Sequence, residues 1–129
     1  MYDAKALYLL DKIIESVEVI QQRTQTIHDV NDFLNSSTGI LILDGVCMKL
    51  IAVGESIKTL DKLTKSNLLV HYPQIPWREV MGMRDIIVHH YFEVDADVIF
   101  NTVKESVPEL MSVLKQIRKD SEVLFEGRE

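Results

Sequence analysis

A single cysteine, Cys47, stands in the 129 residues, so no internal disulfide can form. Its apolar neighbours mark it as a buried structural thiol. Proline occurs three times and glycine five, which leaves long uninterrupted segments, with no internal repeat and no low-complexity linker. No apolar run is long enough to span a bilayer, and the stretch Met1-Tyr2-Asp3-Ala4-Lys5 lacks a basic region followed by an apolar core. These absences point to the cytoplasm and to no membrane partner. Positive charge is also scarce: 14 Lys and Arg stand against 20 Asp and Glu, a net charge of −6. A chain that gripped nucleic acid over a broad phosphate footprint would be basic. Any RNA must therefore be handled by a small local cluster, transiently, or with help from a second subunit. Phosphate-cradling glycine loops, G-x-G-x-x-G and the nucleophile elbow are all missing, so no nucleotide cofactor is expected.

What remains is 47% hydrophobic and 26% charged, the balance of one soluble globular domain over residues 1–129, with a charged tail from Arg118 that frays. The patterning is helical throughout. Leu7, Leu10, Ile14 and Val17, extended loosely by Ile20 and Ile27, step at the period of an amphipathic helix from about Tyr2 to Val30, with Asp3 as N-cap. Asn31 to Gly39 reads as a turn. Leu43, Val46, Leu50, Val53, Ile57 and Leu60 form a stronger seam, which ends between Leu63 and Asn67. Gly45 and Gly54 inside it each cost roughly 1 kcal/mol relative to alanine, a cost that close helix–helix approach would offset. His71 to Trp77 is a turn-rich connection, with Pro76 suited to a first helical position and Trp77 to a packing anchor. A third helix carries Arg84 to Tyr91. Asp95 or Asp97 caps a fourth through Val98, Phe100 and Val103. Pro108 breaks, kinks or restarts it, with Ser106 as a candidate cap. Leu110, Val113, Leu114 and Ile117 face the core. The sum is an all-α bundle of four to five helices with a long antiparallel N-terminal hairpin.

The chemistry concentrates in Arg84-Asp85-Ile86-Ile87-Val88-His89-His90-Tyr91. The spacing is R-x4-H-x-Y. Arginine offers a permanent planar charge that fits a phosphate, and histidine exchanges protons near neutral pH. RNA cleavage without a metal needs both. A 2′-hydroxyl must lose a proton as it attacks the adjacent phosphate, the 5′-oxygen must gain one as it leaves, and the charge on the non-bridging oxygens must be stabilised. The spacing also poses a difficulty, because five residues of ideal helix turn Arg84 and His89 about 140° apart. An irregular helix, a long reach by the arginine, or completion across a dimer would each resolve it. Asp85, four residues before His89, could orient the imidazole. Plainer readings stand beside this one: a solvated face or structural ion pair for Arg84 and His89, and a core aromatic for Tyr91. Glu55 is either a polar group in the seam or a solvent-facing residue. His89 and His90 point apart on a helix, and no partner set completes a metal site.

Four blocks in order resemble the HepT-type toxins of the HEPN superfamily: Ile51-Ala52-Val53-Gly54-Glu55-Ser56, Tyr72-Pro73-Gln74-Ile75-Pro76-Trp77, Met83-Arg84-Asp85 through His89-His90-Tyr91, and Val94-Asp95-Ala96-Asp97-Val98-Ile99. The resemblance implies a four-helix-type HEPN domain that acts as a metal-independent ribonuclease on RNA. It implies a homodimer with the motif lining the dimer cleft and Arg84 and His89 as catalytic pair. It further implies a partner, a minimal nucleotidyltransferase (MNT) antitoxin that adenylylates Tyr91 to silence the toxin. Glu55, Asp85 and His90 stand beside these residues as supporting candidates. Two positions depart from the family pattern. Asp85 stands where Asn is frequent, which places a carboxylate beside the arginine, and His90 stands where Gly is common, which adds bulk beside Tyr91. The alternative function is a non-catalytic binding subunit of a nucleotidyltransferase complex. A third reading, a structural helical dimer without ligand, leaves the three motif residues unexplained.

Overall fold

The computed structural model of the chain describes residues 4–89 and 95–126, and their regular structure is entirely helical. The first helix, α1 (Ala4–Arg23), buries Ala6, Leu10, Ile13, Val17 and Ile20, one residue every three or four. Leu7 and Ile14 sit at the edge of that stripe, half-buried. Asp3 lies outside the described residues. The helix does not continue to Val30. The Thr24 hydroxyl turns back to the Ile20 carbonyl at 2.8 Å, and Lys104 Nζ donates to the Thr24 carbonyl at 3.1 Å, which together close the helix end. The expected turn after it contains α2 (Val30–Leu34). Asp29 accepts from the Asp32 N–H, while the Asp32 carboxylate accepts from the Asp29 N–H, a reciprocal capping box. The residue types that suggest a turn here are also those that start helices. The His28 and Asp29 N–H groups hold the Asp32 carboxyl below the usual carboxylate range.

A second capped start, Ser36 accepting from the Gly39 N–H at 2.9 Å, opens α3 (Ser37–Leu63). Its seam is buried as the pattern predicts at Val46, Leu50, Val53, Ile57 and Leu60, while Leu43 at its start is half-buried. Arg23, at the end of α1, lies beside Gly45 near the start of α3, so the two long helices run antiparallel. Cys47 of α3 is buried in the core, and burial first, then the Asp44 charge, pushes its thiol up to about 11. It is an inert core group rather than a nucleophile. The connection from α3 passes through a tight turn at Leu69–His71 and is clamped at Tyr72. The Trp77 indole donates to the Tyr72 carbonyl at 2.9 Å, and the Tyr72 hydroxyl donates to Asp120 at 2.6 Å. Trp77 is thus the anchor its position suggests.

The third helix is split. Gly82 separates α4 (Trp77–Met81), which Pro76 precedes, from α5 (Met83–His89). Beyond it come α6 (Ala96–Asn101), with Asp95 accepting from the Asp97 N–H, and α7 (Val107–Glu126). Pro108 neither breaks nor restarts the chain with Ser106 as cap. Residues Thr102–Ser106 form a π-helical turn that joins α6 to α7, with the Val107 N–H bonded to the Thr102 carbonyl five residues back. Widening the helix by one residue accommodates a ring that cannot donate and would clash with the preceding turn. Val98 faces outward, while Phe100 meets the buried Phe33 edge-on with centroids 6.5 Å apart. On α7, Leu110, Val113, Leu114 and Ile117 are buried, and Arg118 is tied to Asp11 of α1 at 2.7 Å. The helix α1 packs on both α3 and α7, and α4 and α5 lie against α3. No described helix is long and apolar enough to cross a membrane.

Candidate active site

Gly54 decides how α4 and α5 sit. A Cβ there would lie 2.7 Å from the Val80 carbonyl oxygen, so α3 and α4 approach more closely than any side chain permits. Gly45 has no such constraint, since only Arg23 comes within 3.9 Å of its would-be Cβ. The close approach brings the next residue, Glu55, to the beginning of α5. Its carboxylate lies 3.3 Å from Arg84 Nε, and Asp85 lies 3.7 Å from Arg84 Nη1. Glu55 is therefore neither a seam residue nor a free surface group but the cross-helix partner of the motif arginine. About half of the Arg84 side chain remains exposed, so the guanidinium is held by two carboxylates and still reaches solvent.

His89 is exposed at the end of α5. No hydrogen bond or ion pair joins it to Asp85 or to Arg84 among the described residues. Asp85 turns to the arginine instead of orienting the imidazole. The irregularity at Gly82 precedes Arg84, so Arg84 and His89 lie on one continuous helix, five residues apart, and the chain does not by itself draw them together. His90 and Tyr91 lie outside the described residues. Among the described residues, no group of three or more His, Cys, Asp or Glu side chains is placed to hold a metal ion.

A second feature adjoins this arrangement. Leu41 and Met48 are 71% and 67% exposed on α3, and with Glu55 they recur every seven residues on one face. Ile86 and Val88 of α5 are exposed as well. The seam from Leu43 to Leu60 is the longer pattern in the sequence, yet it is satisfied within the chain. The signal for the outer stripe was the seven-residue interval that ends on Glu55.

Comparison with known proteins places this helix arrangement. The family model described as Ribonuclease HepT-like matches residues 13–117. The chain is 33% identical over 110 residues to the "Probable ribonuclease HepT" of Thermococcus cleftensis, covering 85% of this chain and 93% of that protein. It is 33% identical over 120 residues to the "Putative RNase MJ1216" of Methanocaldococcus jannaschii, covering 93% and 91%. A third relative from the same organism, "Gamma-glutamylcyclotransferase and putative RNase MJ0434", is 32% identical over 111 residues, which is 86% of this chain but 46% of that longer protein. No solved structure matches. The all-α bundle and these matches agree, and the chain belongs to the HepT-like ribonuclease family.

Proposed function

We propose that this chain is a metal-independent RNA endonuclease and the toxin of a toxin–antitoxin pair. The observation that carries the reading is an anchored but half-open Arg84 on the same helix as an exposed His89, in a chain of a ribonuclease family. In this scheme the 2′-oxygen forms a bond to phosphorus and the bond to the 5′-oxygen breaks, leaving a cyclic phosphate and a free 5′-hydroxyl. His89 handles a proton at one of the two oxygens. Arg84, its Nε side held by Glu55, presents its remaining donors to the non-bridging oxygens as their charge grows. Glu55 is thus a positioning residue.

The two motif residues converge across a homodimer in this reading, with a second copy seated on the apolar stripe of Leu41 and Met48 that leads to Glu55. A cognate MNT-domain nucleotidyltransferase then silences the enzyme by adenylylating Tyr91. The added phosphate charge and adenosine bulk would repel and block RNA at the cleft. Purified protein should cut RNA in EDTA, and His89→Ala should abolish cutting while the helical signal and melting temperature stay unchanged. Cutting that survives the substitution removes His89 from the mechanism. The other reading, a binding subunit without nuclease activity, draws support from the two carboxylates that flank Arg84 and from the net charge of −6. It expects tight partner binding and no cleavage even with Tyr91 unmodified.

A further inference from the structure

A half-enclosed cavity of about 270 Å³ opens between α4 and the start of α7, with Met83, the residue before Arg84, in its wall. Besides Ile75 and Pro76 of the connection before α4, its apolar lining comes from three helical elements, with six side chains: Leu50 and Val53 of α3, Val80 and Met83 of the split helix, and Val107 and Leu110 of α7. Four of these six are buried in the core and two are half-buried, so the walls are fixed by packing that exists without any ligand. The polar part of the lining is small and consists of two hydroxyl residues and two glutamates. The hydroxyls of Thr102 and Ser106 come from the two ends of the π-helical turn, and the carboxylates of Glu79 and Glu109 come from α4 and α7 on either side. Both glutamates are exposed, and neither carboxylate has an ion-pair or hydrogen-bond partner among the described residues. An apolar cavity with a few convergent polar groups is the usual form of a small-ligand site, and π-turns recur at such sites.

We propose that this cavity binds a small organic cation: an apolar body enters between Val53, Val80 and Leu110, and an ammonium or comparable group stays at the mouth between Glu79 and Glu109. Apolar walls take the body out of water. The two exposed carboxylates, without an ion-pair partner among the described residues, favour a positive head over a neutral one and repel a negative one. Because the glutamates are exposed, that preference is modest, on the order of two- to fivefold over an isosteric alcohol. The site is separate from the ribonuclease assignment, since none of its carboxylates or hydroxyls belongs to the R-x4-H-x-Y motif.

The test uses three probes with one aromatic body, 2-phenylethylamine, 2-phenylethanol and 3-phenylpropanoate, titrated at millimolar concentration into the full chain with labelled methyl groups. Shifts should concentrate on the methyls of Leu50, Val53, Val80 and Leu110, with affinity in the order amine, alcohol, carboxylate. The double variant Glu79→Gln, Glu109→Gln leaves every apolar wall in place, so it should still bind the alcohol and should lose the amine preference. Equal affinity for amine and alcohol in the unsubstituted chain would overturn the proposal, as would shifts scattered over the surface, or no shifts at all. An amine preference that persists in the double variant would also overturn it. None of these readings involves RNA cleavage, so failure of the site and failure of the nuclease assignment are distinguishable.

Discussion

At the scale of single residues, the unusual group is Asp85. Its carboxylate is 3.7 Å from the Arg84 guanidinium, which Glu55 already holds at 3.3 Å from the other side. One carboxylate suffices to anchor the arginine, so the second competes with any phosphate that approaches it. Both partners of the Asp85–Arg84 pair are half exposed or more, and solvent weakens such pairs to about 0.2–1 kcal/mol. Asp85→Asn should therefore lower KM for RNA by about two- to fivefold, with kcat and thermal stability little altered. An unchanged KM would mean that Asp85 does not compete. The motif itself was legible because Arg, His and Tyr carry their chemistry in their identity. The anchoring of Arg84 was not, because Glu55 and Arg84 are 29 positions apart and meet only through tertiary packing. Nor could spacing tell that Asp85 would choose the arginine over His89: both lie within its reach, and the stronger charge complementarity with the guanidinium wins.

At the scale of elements, the two glycines of α3 look alike in sequence and differ in what surrounds them. A methyl group at Gly54 meets the Val80 backbone carbonyl at 2.7 Å, whereas at Gly45 it meets only the far end of the Arg23 side chain at 3.9 Å. Alanine gains up to about 1 kcal/mol of helix propensity at either position. At Gly54 that gain is opposed by overpacking, which typically costs about 1–3 kcal/mol, and a backbone carbonyl yields less readily than a side-chain tip. Gly45→Ala should raise the melting temperature and Gly54→Ala should lower it by several degrees, as read by thermal circular dichroism. Gly54→Ala should also move α4 and loosen the Glu55–Arg84 pair, so it should weaken RNA cleavage more than its stability loss explains. Equal effects of the two substitutions would show that α3 and α4 do not touch at Gly54. Periodicity found α1, α3 and α7 because their buried stripes are long. The short elements escaped it. The helix α2 and the split at Gly82 depend on local hydrogen bonds, and the π-turn before Pro108 depends on a tertiary context that favours widening over breaking.

At the scale of the whole molecule, the acidic charge, the separation of the motif residues and the exposed stripe converge on one arrangement. With a net charge of −6, the chain as a whole does not attract RNA over long range, and any RNA binding would have to come from a few close contacts. One chain supplies a single Arg84 and a single His89 on a helix that turns them apart. A second copy seated on Leu41 and Met48 would double these groups and set two α5 helices beside one cleft. It would also cover side chains that are 71% and 67% exposed in the single chain, a burial that favours association. The unsubstituted protein should therefore sediment as a dimer at micromolar concentration. The pair of substitutions Leu41→Lys and Met48→Lys should convert it to a monomer with its helical signal intact, because neither side chain contributes to the core. That monomer should lose RNA cleavage together with dimerisation. Mixing a His89→Ala chain with an Arg84→Ala chain, both otherwise unsubstituted, should restore part of the activity, since one of the two clefts in a mixed dimer then holds an intact pair drawn from both subunits. If the mixture stays inactive while the unsubstituted dimer cuts RNA, each active centre belongs to one chain, and the dimer serves stability alone.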